Sequence, residues 1–252
     1  MYLGVKKHNG IGTHFTWENR DIRYNVLRAV GYYKGKAVAE DVIVLNNLEQ
    51  APSFELLYKD AGDILKGDKT YNYLYRLNCG GDAYTDVFGQ HWLKDDTTFS
   101  RSWAADFPEL NPLQASQRLT HDPIKGTRDW SLLQHFRFGR HKLQFKVPVP
   151  DGRYRIELYF VEPWHGTGGS AKTDMEGLRI FDVAVNGQTL IDDLDIWAEV
   201  GHDAALKKVV YADVKGGELL IDFPEVKAGQ AVLSAIAIAT TDAAVRVAVP
   251  QK

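Results

Sequence analysis

From Arg153 to Phe160 the chain alternates without a break. Tyr154, Ile156, Leu158 and Phe160 fall on one side, and Arg153, Arg155, Glu157 and Tyr159 on the other. That is the period of a half-buried β-strand. Pro163 ends the run, because proline cannot donate to a sheet ladder, and Gly166, Gly168 and Gly169 open a flexible loop. Between them stand Trp164 and His165, so a strand carries a large flat ring and a polar ring to a rim. Other short β-rich runs follow the same logic. YNVLRAVGYY (24–33) and AVAEDVIVL (37–45) flank a tight turn at Lys34-Gly35-Lys36 and predict a hairpin. YLYRLNCGG (73–81) ends in two glycines. LLQHFRF (132–138), LQFKVPV (143–149), RIFDVAVN (179–186) with its return QTLI, KKVVYADV (207–214), ELLIDF and VLSAIAIAT (232–240) come at regular spacing. Only 196–208 offers a helical turn. Many short strands with turn signals and almost no helix predict an all-β protein, an antiparallel β-sandwich of jelly-roll type.

The pattern divides the chain. Residues 1–48 hold only the hairpin, too few strands to bury a core, and read as the remnant of a domain whose beginning is missing; with Met1 opening inside it, the chain is expected to be part of a longer polypeptide. Residues 49–70 have the composition of a linker, 71–241 form the sandwich, and 242–252 are a tail. Residues 93–130 are long, irregular and studded with aromatics, and a loop of that length inside a compact domain is usually functional.

Composition narrows the classes. Of 252 residues 44% are hydrophobic and 12% aromatic, as in a folded globular protein. A net charge of -3 leaves no nucleic-acid footprint. The single Cys79 excludes an internal disulfide framework. No stretch approaches a membrane span, and MYLGVKKHNGIGTHF lacks the apolar run of a signal peptide.

The candidate chemistry is aromatic. A pyranose has a face of C–H bonds that packs on a ring, while its hydroxyls need directed polar partners. Trp92, Trp103, Trp130, Phe138 and Trp164 are the candidate rings. A core role weighs more for Trp130, Phe138 and Trp197, which adjoin regular strands; a surface role weighs more for Trp164, between Pro163 and the glycine loop. Those glycines suit close approach of a ligand to the backbone better than phosphate binding, since no helix N-terminus follows. Histidines 91, 121, 135, 141, 165 and 202 show no metal-ligand spacing. The run Asp192-Asp193-Leu194-Asp195 could hold a structural calcium, but a solvated turn or a capping role accounts for it better. Glycoside hydrolysis would need paired carboxylates in a cleft; Glu157 and Glu162 share one segment, and nothing marks either as an acid of raised pKa. There is no GxSxG, and Cys79 has no evident base. No catalytic residue, metal or cofactor is assigned.

YRLNCGGDAYTDVFGQHW, LLQHFRFG, YRIELYFVEPW, RIFDVAVNGQTLIDDLDIW, VGHDAALKK and AVLSAIAIAT, in that order, resemble malectin-type carbohydrate-binding domains over Tyr71 to Thr240. LRAVGYYKGKAVAED is similar to the last strands of the immunoglobulin-like domain of bacterial family-2 glycoside hydrolases, the β-galactosidase-like enzymes. The resemblance implies a non-catalytic, malectin-like sandwich that binds glycans on loops at one end. In the family's animal representative the pocket is lined by aromatics and an aspartate and takes glucose disaccharides. By motif, the aromatic pair falls on Trp164 and His165, and the aromatic after Gln134 on Phe138. The aspartate falls near Gly229 and Gln230, so the acid is missing; Trp103 or Trp130 stands in for an unplaced tyrosine. The expected sugar site is therefore Trp164, His165, Phe138, Trp103, Trp130 and Gln230. The expected partners are an oligosaccharide or polysaccharide and the catalytic domain of a periplasmic or extracellular bacterial parent enzyme. The alternative is a structural module that packs on the parent or mediates dimerisation, with the rings buried in that interface.

Overall fold

A computed structural model describes residues 2–10, 13–18, 26–44, 63–102, 116–140, 142–166 and 174–247. The expected hairpin is β1 (Val26–Tyr33) with β2 (Lys36–Val44). Its two-residue turn puts Lys34 at φ 49° and Gly35 at φ 78°, the left-handed pair that matches strand twist in a tight hairpin. Tyr32 and Tyr33 beside the turn are each 65% exposed, and no described hairpin residue belongs to the hydrophobic clusters of the sandwich.

Two six-stranded sheets make the body. One runs β13 (Leu206–Val214), β10 (Gly152–Phe160), β17 (Ala235–Thr240), β3 (Asn72–Asn78), β5 (His91–Lys94), β4 (Tyr84–Thr85). The other runs β12 (Gln188–Leu194), β11 (Ile180–Val185), β14 (Glu218–Asp222), β9 (Gln144–Pro148), β6 (Ser100–Arg101), with β15 (Val226–Ala228) also paired to β11. A small sheet of β16 (Ala231–Leu233), β8 (His135–Gly139) and β7 (Gln117–Leu119) completes the set. Among these strands pairing is antiparallel except between β3 and β5. The inward residues of β10, Tyr154, Ile156, Leu158 and Phe160, join Phe145, Val147, Phe181, Val183, Leu219 and Ile221 of the facing sheet in one core. Each such side chain contributes about 1.5–3 kcal/mol of burial.

The outward side of β10 is solvated only at its start, where Arg153 is exposed, and is covered from Glu157 onward, against simple alternation. Tyr159 and Val161 join Leu65, Trp92, Ile124, Leu132 and Leu133 in a second cluster on the back of the first sheet. Leu65, within the stretch read as linker, is 1% exposed, so the sandwich's packing reaches back at least that far. The run 132–138 also changes form. A one-turn helix, α1 (Trp130–Leu133), precedes β8. Leu132 and Leu133 are adjacent and both 0% exposed; a strand would point them to opposite faces, whereas a helical turn buries both. The closing run breaks at Ser234. Its N–H donates to Tyr159 O and its carbonyl accepts from Cys79 N, both at 2.9 Å. The chain there leaves the small sheet as β16 and enters the large one as β17, a corner made by changing sheets. The helical turn at 196–208 is α2 (Ile196–Val200).

Candidate functional site

β10 runs out at Phe160, and Glu162 follows, fully buried. A buried carboxylate is costly unless it is paired and hydrogen-bonded, and Glu162 is both. Arg179, 1% exposed, donates from Nε to Oε2 at 2.5 Å and from Nη2 to Oε1 at 3.1 Å. The same Oε1 accepts the backbone N–H of Trp164 at 3.0 Å and of His165 at 3.1 Å. Burial pushes the Glu162 carboxyl up, but Arg179 and the two N–H groups outweigh it and hold it below its ordinary value. One buried ion pair thus fixes the backbone of the two residues that open the loop.

Trp164 is 39% exposed. Its ring meets Phe136 and Phe138 edge-on, both at 5.7 Å between centroids, with interplanar angles of 76° and 68°, the geometry the aromatic quadrupole favours. The Arg179 guanidinium lies 5.3 Å from the Trp164 centroid and also donates to Gln230 O. Phe138 is half-buried and carries the Arg118 guanidinium 4.9 Å from its ring centre. Gly166, at φ 101°, needs to be glycine for two reasons: the backbone is left-handed, and a Cβ there would lie 3.1 Å from His202 Cβ. Gly229, at φ 62°, is likewise fixed, since a Cβ would come within 2.7 Å of Leu178 O.

The structure therefore gathers Trp164, Phe138 and the backbone of His165 and Gln230 into one place. It does not gather all the expected residues. Trp130 is half-buried against the second cluster, on the back of the first sheet. Trp92 is 1% exposed, with Nε1 donating to Asp86 Oδ2 at 2.9 Å, and is core. Trp103 lies outside the described residues. Trp197, read as core, is half-buried on α2, with Nε1 3.4 Å from where a Gly166 Cβ would sit. Sequence reasoning missed Phe136, Arg118, Arg140 and the role of Arg179. The alternation Phe136, Phe138, Arg140 was a readable signal; the pairing of Arg179 with Glu162 across 17 positions was not.

Neither carboxylate suits the acid role in hydrolysis. Glu157 accepts from Tyr73 Oη at 2.9 Å, Tyr159 Oη at 2.6 Å, Arg155 Nε at 2.8 Å and Lys207 Nζ at 2.8 Å. Burial pushes it up, but these donors prevail and hold it down. A general acid needs a proton at working pH, and both groups are kept ionised.

Among the described residues, two clusters bring possible cation ligands together within 4.8 Å: Asp182, Asp192, Asp193, and Asp122, His202, Asp203. In the first, Asp193 pairs with Lys227 and Asp182 Oδ1 accepts Asp193 N at 2.9 Å. Asp195 caps α2 by accepting Ala198 N at 3.0 Å, the capping role expected within that acidic run. In the second, His202 Nε2 already meets Asp203 Oδ2 at 2.8 Å.

A family profile described as the malectin domain matches residues 73–245. Malectin-B of Xenopus laevis is 28% identical over 149 residues, 59% of this chain and 48% of that protein. Human malectin is 27% identical over 149 residues, 59% of this chain and 45% of that protein. The chain spans about half the length of these relatives. Among solved structures, a Bacteroides uniformis β-glucuronidase superposes with TM-score 0.52 at 22% identity over 84% of this chain and 22% of that one. The ANX2 ectodomain of Arabidopsis thaliana superposes with TM-score 0.53 at 17% identity over 75% and 55%. Both share the fold.

Proposed function

The chain belongs to the malectin domain family, and we propose that it is a non-catalytic carbohydrate-binding module holding an oligosaccharide or polysaccharide on the rim at Trp164. The observation that carries this reading is a large ring, 39% exposed, on a backbone pinned by the buried Glu162–Arg179 pair. A binding platform that is already ordered pays little entropy when the ligand arrives. The C–H face of a sugar packs on such a ring, and the backbone of His165 and Gln230 is held in place beside it by Glu162 and Arg179.

We further propose that the module serves a larger glycoside hydrolase exported from a bacterial cell. Two observations support this. The superposition on the β-glucuronidase covers 84% of the chain, more than residues 73–245 alone supply. The hairpin carries Tyr32, Tyr33 and Val38 exposed, as strands cut from their neighbours would. Tethering to a catalytic domain compensates for weak sugar affinity through effective concentration. The same exposed hairpin favours a second reading, a module that packs on its parent or on a second copy.

A glycan array and titration calorimetry on the purified chain test the first reading, with Trp164→Ala as the site variant and Trp130→Ala as the control on the opposite side. Binding lost in Trp164→Ala and kept in Trp130→Ala supports it. No response to any glycan, together with concentration-dependent self-association, supports the second.

A further inference from the structure

The small sheet carries arginines beside its rings. Phe136, Phe138 and Arg140 alternate along β8 and its end, so they share one face. Arg118, paired with Phe136 across β7 and β8, lies on that face with its guanidinium over Phe138. Arg140 Nε donates to Gly229 O at 2.6 Å, and Arg179 donates to the next carbonyl, Gln230 O. The turn where the resemblance calls for an aspartate is thus the place where two guanidinium groups converge. Arg179 is neutralised by Glu162, whereas among the described residues Arg118 and Arg140 have no carboxylate partner. Both are exposed, and the acceptors they hold are carbonyls, Gln117 O at 2.8 Å and Gly229 O.

We propose that this rim selects acidic glycans, an inference that rests on the glycan-binding reading above. The ligand class is a pyranose bearing an oxyanion, carboxylate or sulfate, with its C–H face at Trp164 and its anion between Arg118 and Arg140. The planar guanidinium fork matches an oxyanion with two parallel charge-assisted hydrogen bonds. A neutral sugar offers these groups only hydroxyls. The competing charges are Asp174 and Glu176, in the segment leading to Leu178, whose carbonyl abuts Gly229. A cavity of about 310 Å³ beside the rim adds Asp222, and against it Lys142 next to Arg140. A second cavity, about 490 Å³, is lined by Asp151, Arg153, Asp213 and Lys215 at the start of β10. It lies roughly 30 Å of strand away from the rim and has no part in the site.

Titration calorimetry with three oligosaccharides of the same length and linkage tests the proposal: a neutral glucan fragment, its glucuronate counterpart and an O-sulfated counterpart. At least one acidic ligand is expected to bind about tenfold tighter than the neutral one. The gap should close in Arg118→Gln and Arg140→Gln and shrink as salt is raised. Which acidic arm wins identifies the oxyanion. Thermal melting confirms that each variant is folded, and Arg118→Gln keeps the test open where Arg140→Gln disturbs the 229–230 turn. Equal affinity for neutral and acidic ligands, lost in Trp164→Ala, overturns the charge selection and leaves the platform standing. No binding of any of the three overturns both.

Discussion

Glu157 and Glu162 sit five positions apart on and just beyond one strand, both buried and both held down against the push of burial, Glu157 first by Lys207 and Glu162 by Arg179. They do different work. The donors of Glu157 come from side chains on β10, β3 and β13, so its bonds tie three strands of one sheet together, reaching across β17 to β3. Its cations Arg155 and Lys207 keep 16% and 17% of their side chains in water. The donors of Glu162 are Arg179 and two backbone N–H groups of the rim loop. Its pair is sealed on both sides, at 0% and 1% exposure. A carboxylate whose partners are all side chains of regular strands can only add stability. One that spends half its acceptors on a loop backbone also sets where that loop's side chains point.

The largest effect is expected when the sealed pair is broken. Arg179→Met leaves Glu162 buried without its cation, and removing one partner of such a pair costs about 3–5 kcal/mol. Urea unfolding should show that loss, and sugar binding should vanish with it, because the cation over Trp164 goes too. A loss below about 1 kcal/mol would mean that water reaches the pair. Glu157→Gln is expected to cost less, about 1–3 kcal/mol, since Arg155 and Lys207 can turn to solvent. Its glycan affinity should stay at the wild-type level, and a weakened affinity would erase the distinction between the two glutamates.

Acid sharpens the same contrast. Both carboxyls are depressed on folding, so each contributes stability that is present above the unfolded value near 4.3 and is lost as pH falls through the lower folded value. Melting temperature should therefore fall steeply below about pH 4. In Glu162→Gln that fall should be shallower, and a curve parallel to wild type would contradict the ionised pair. The smallest stability effect is expected from Trp164→Ala. With 39% of the residue already in water, truncation should cost about 1–2 kcal/mol rather than the 3–5 of a core aromatic. It should nonetheless reduce glycan affinity at least about tenfold in calorimetry.

Local pattern determined a good deal of this protein. The alternation of 153–160 marked which four residues face the core, and Pro163 with Gly166 marked where the strand gives way to a rim bearing Trp164. Those are short-range facts of side-chain period and backbone freedom, and they survive any packing. The hairpin turn at Lys34-Gly35 was legible for the same reason. Tertiary structure alone decided the rest. Whether the second face of β10 meets water depends on Leu65, Ile124 and Leu132 arriving from elsewhere to cover it. The closing apolar run reads as one strand, yet hydrogen bonds to Tyr159 and Cys79 break it at Ser234. The glycines after Trp164 set it apart from Trp130 in sequence, but only packing puts Trp130 against the back of a sheet and seats Trp164 on Phe136 and Phe138. Arg179 looks like an ordinary strand-start cation; only the fold brings it to Glu162, because a buried charge finds its partner through space and not along the chain.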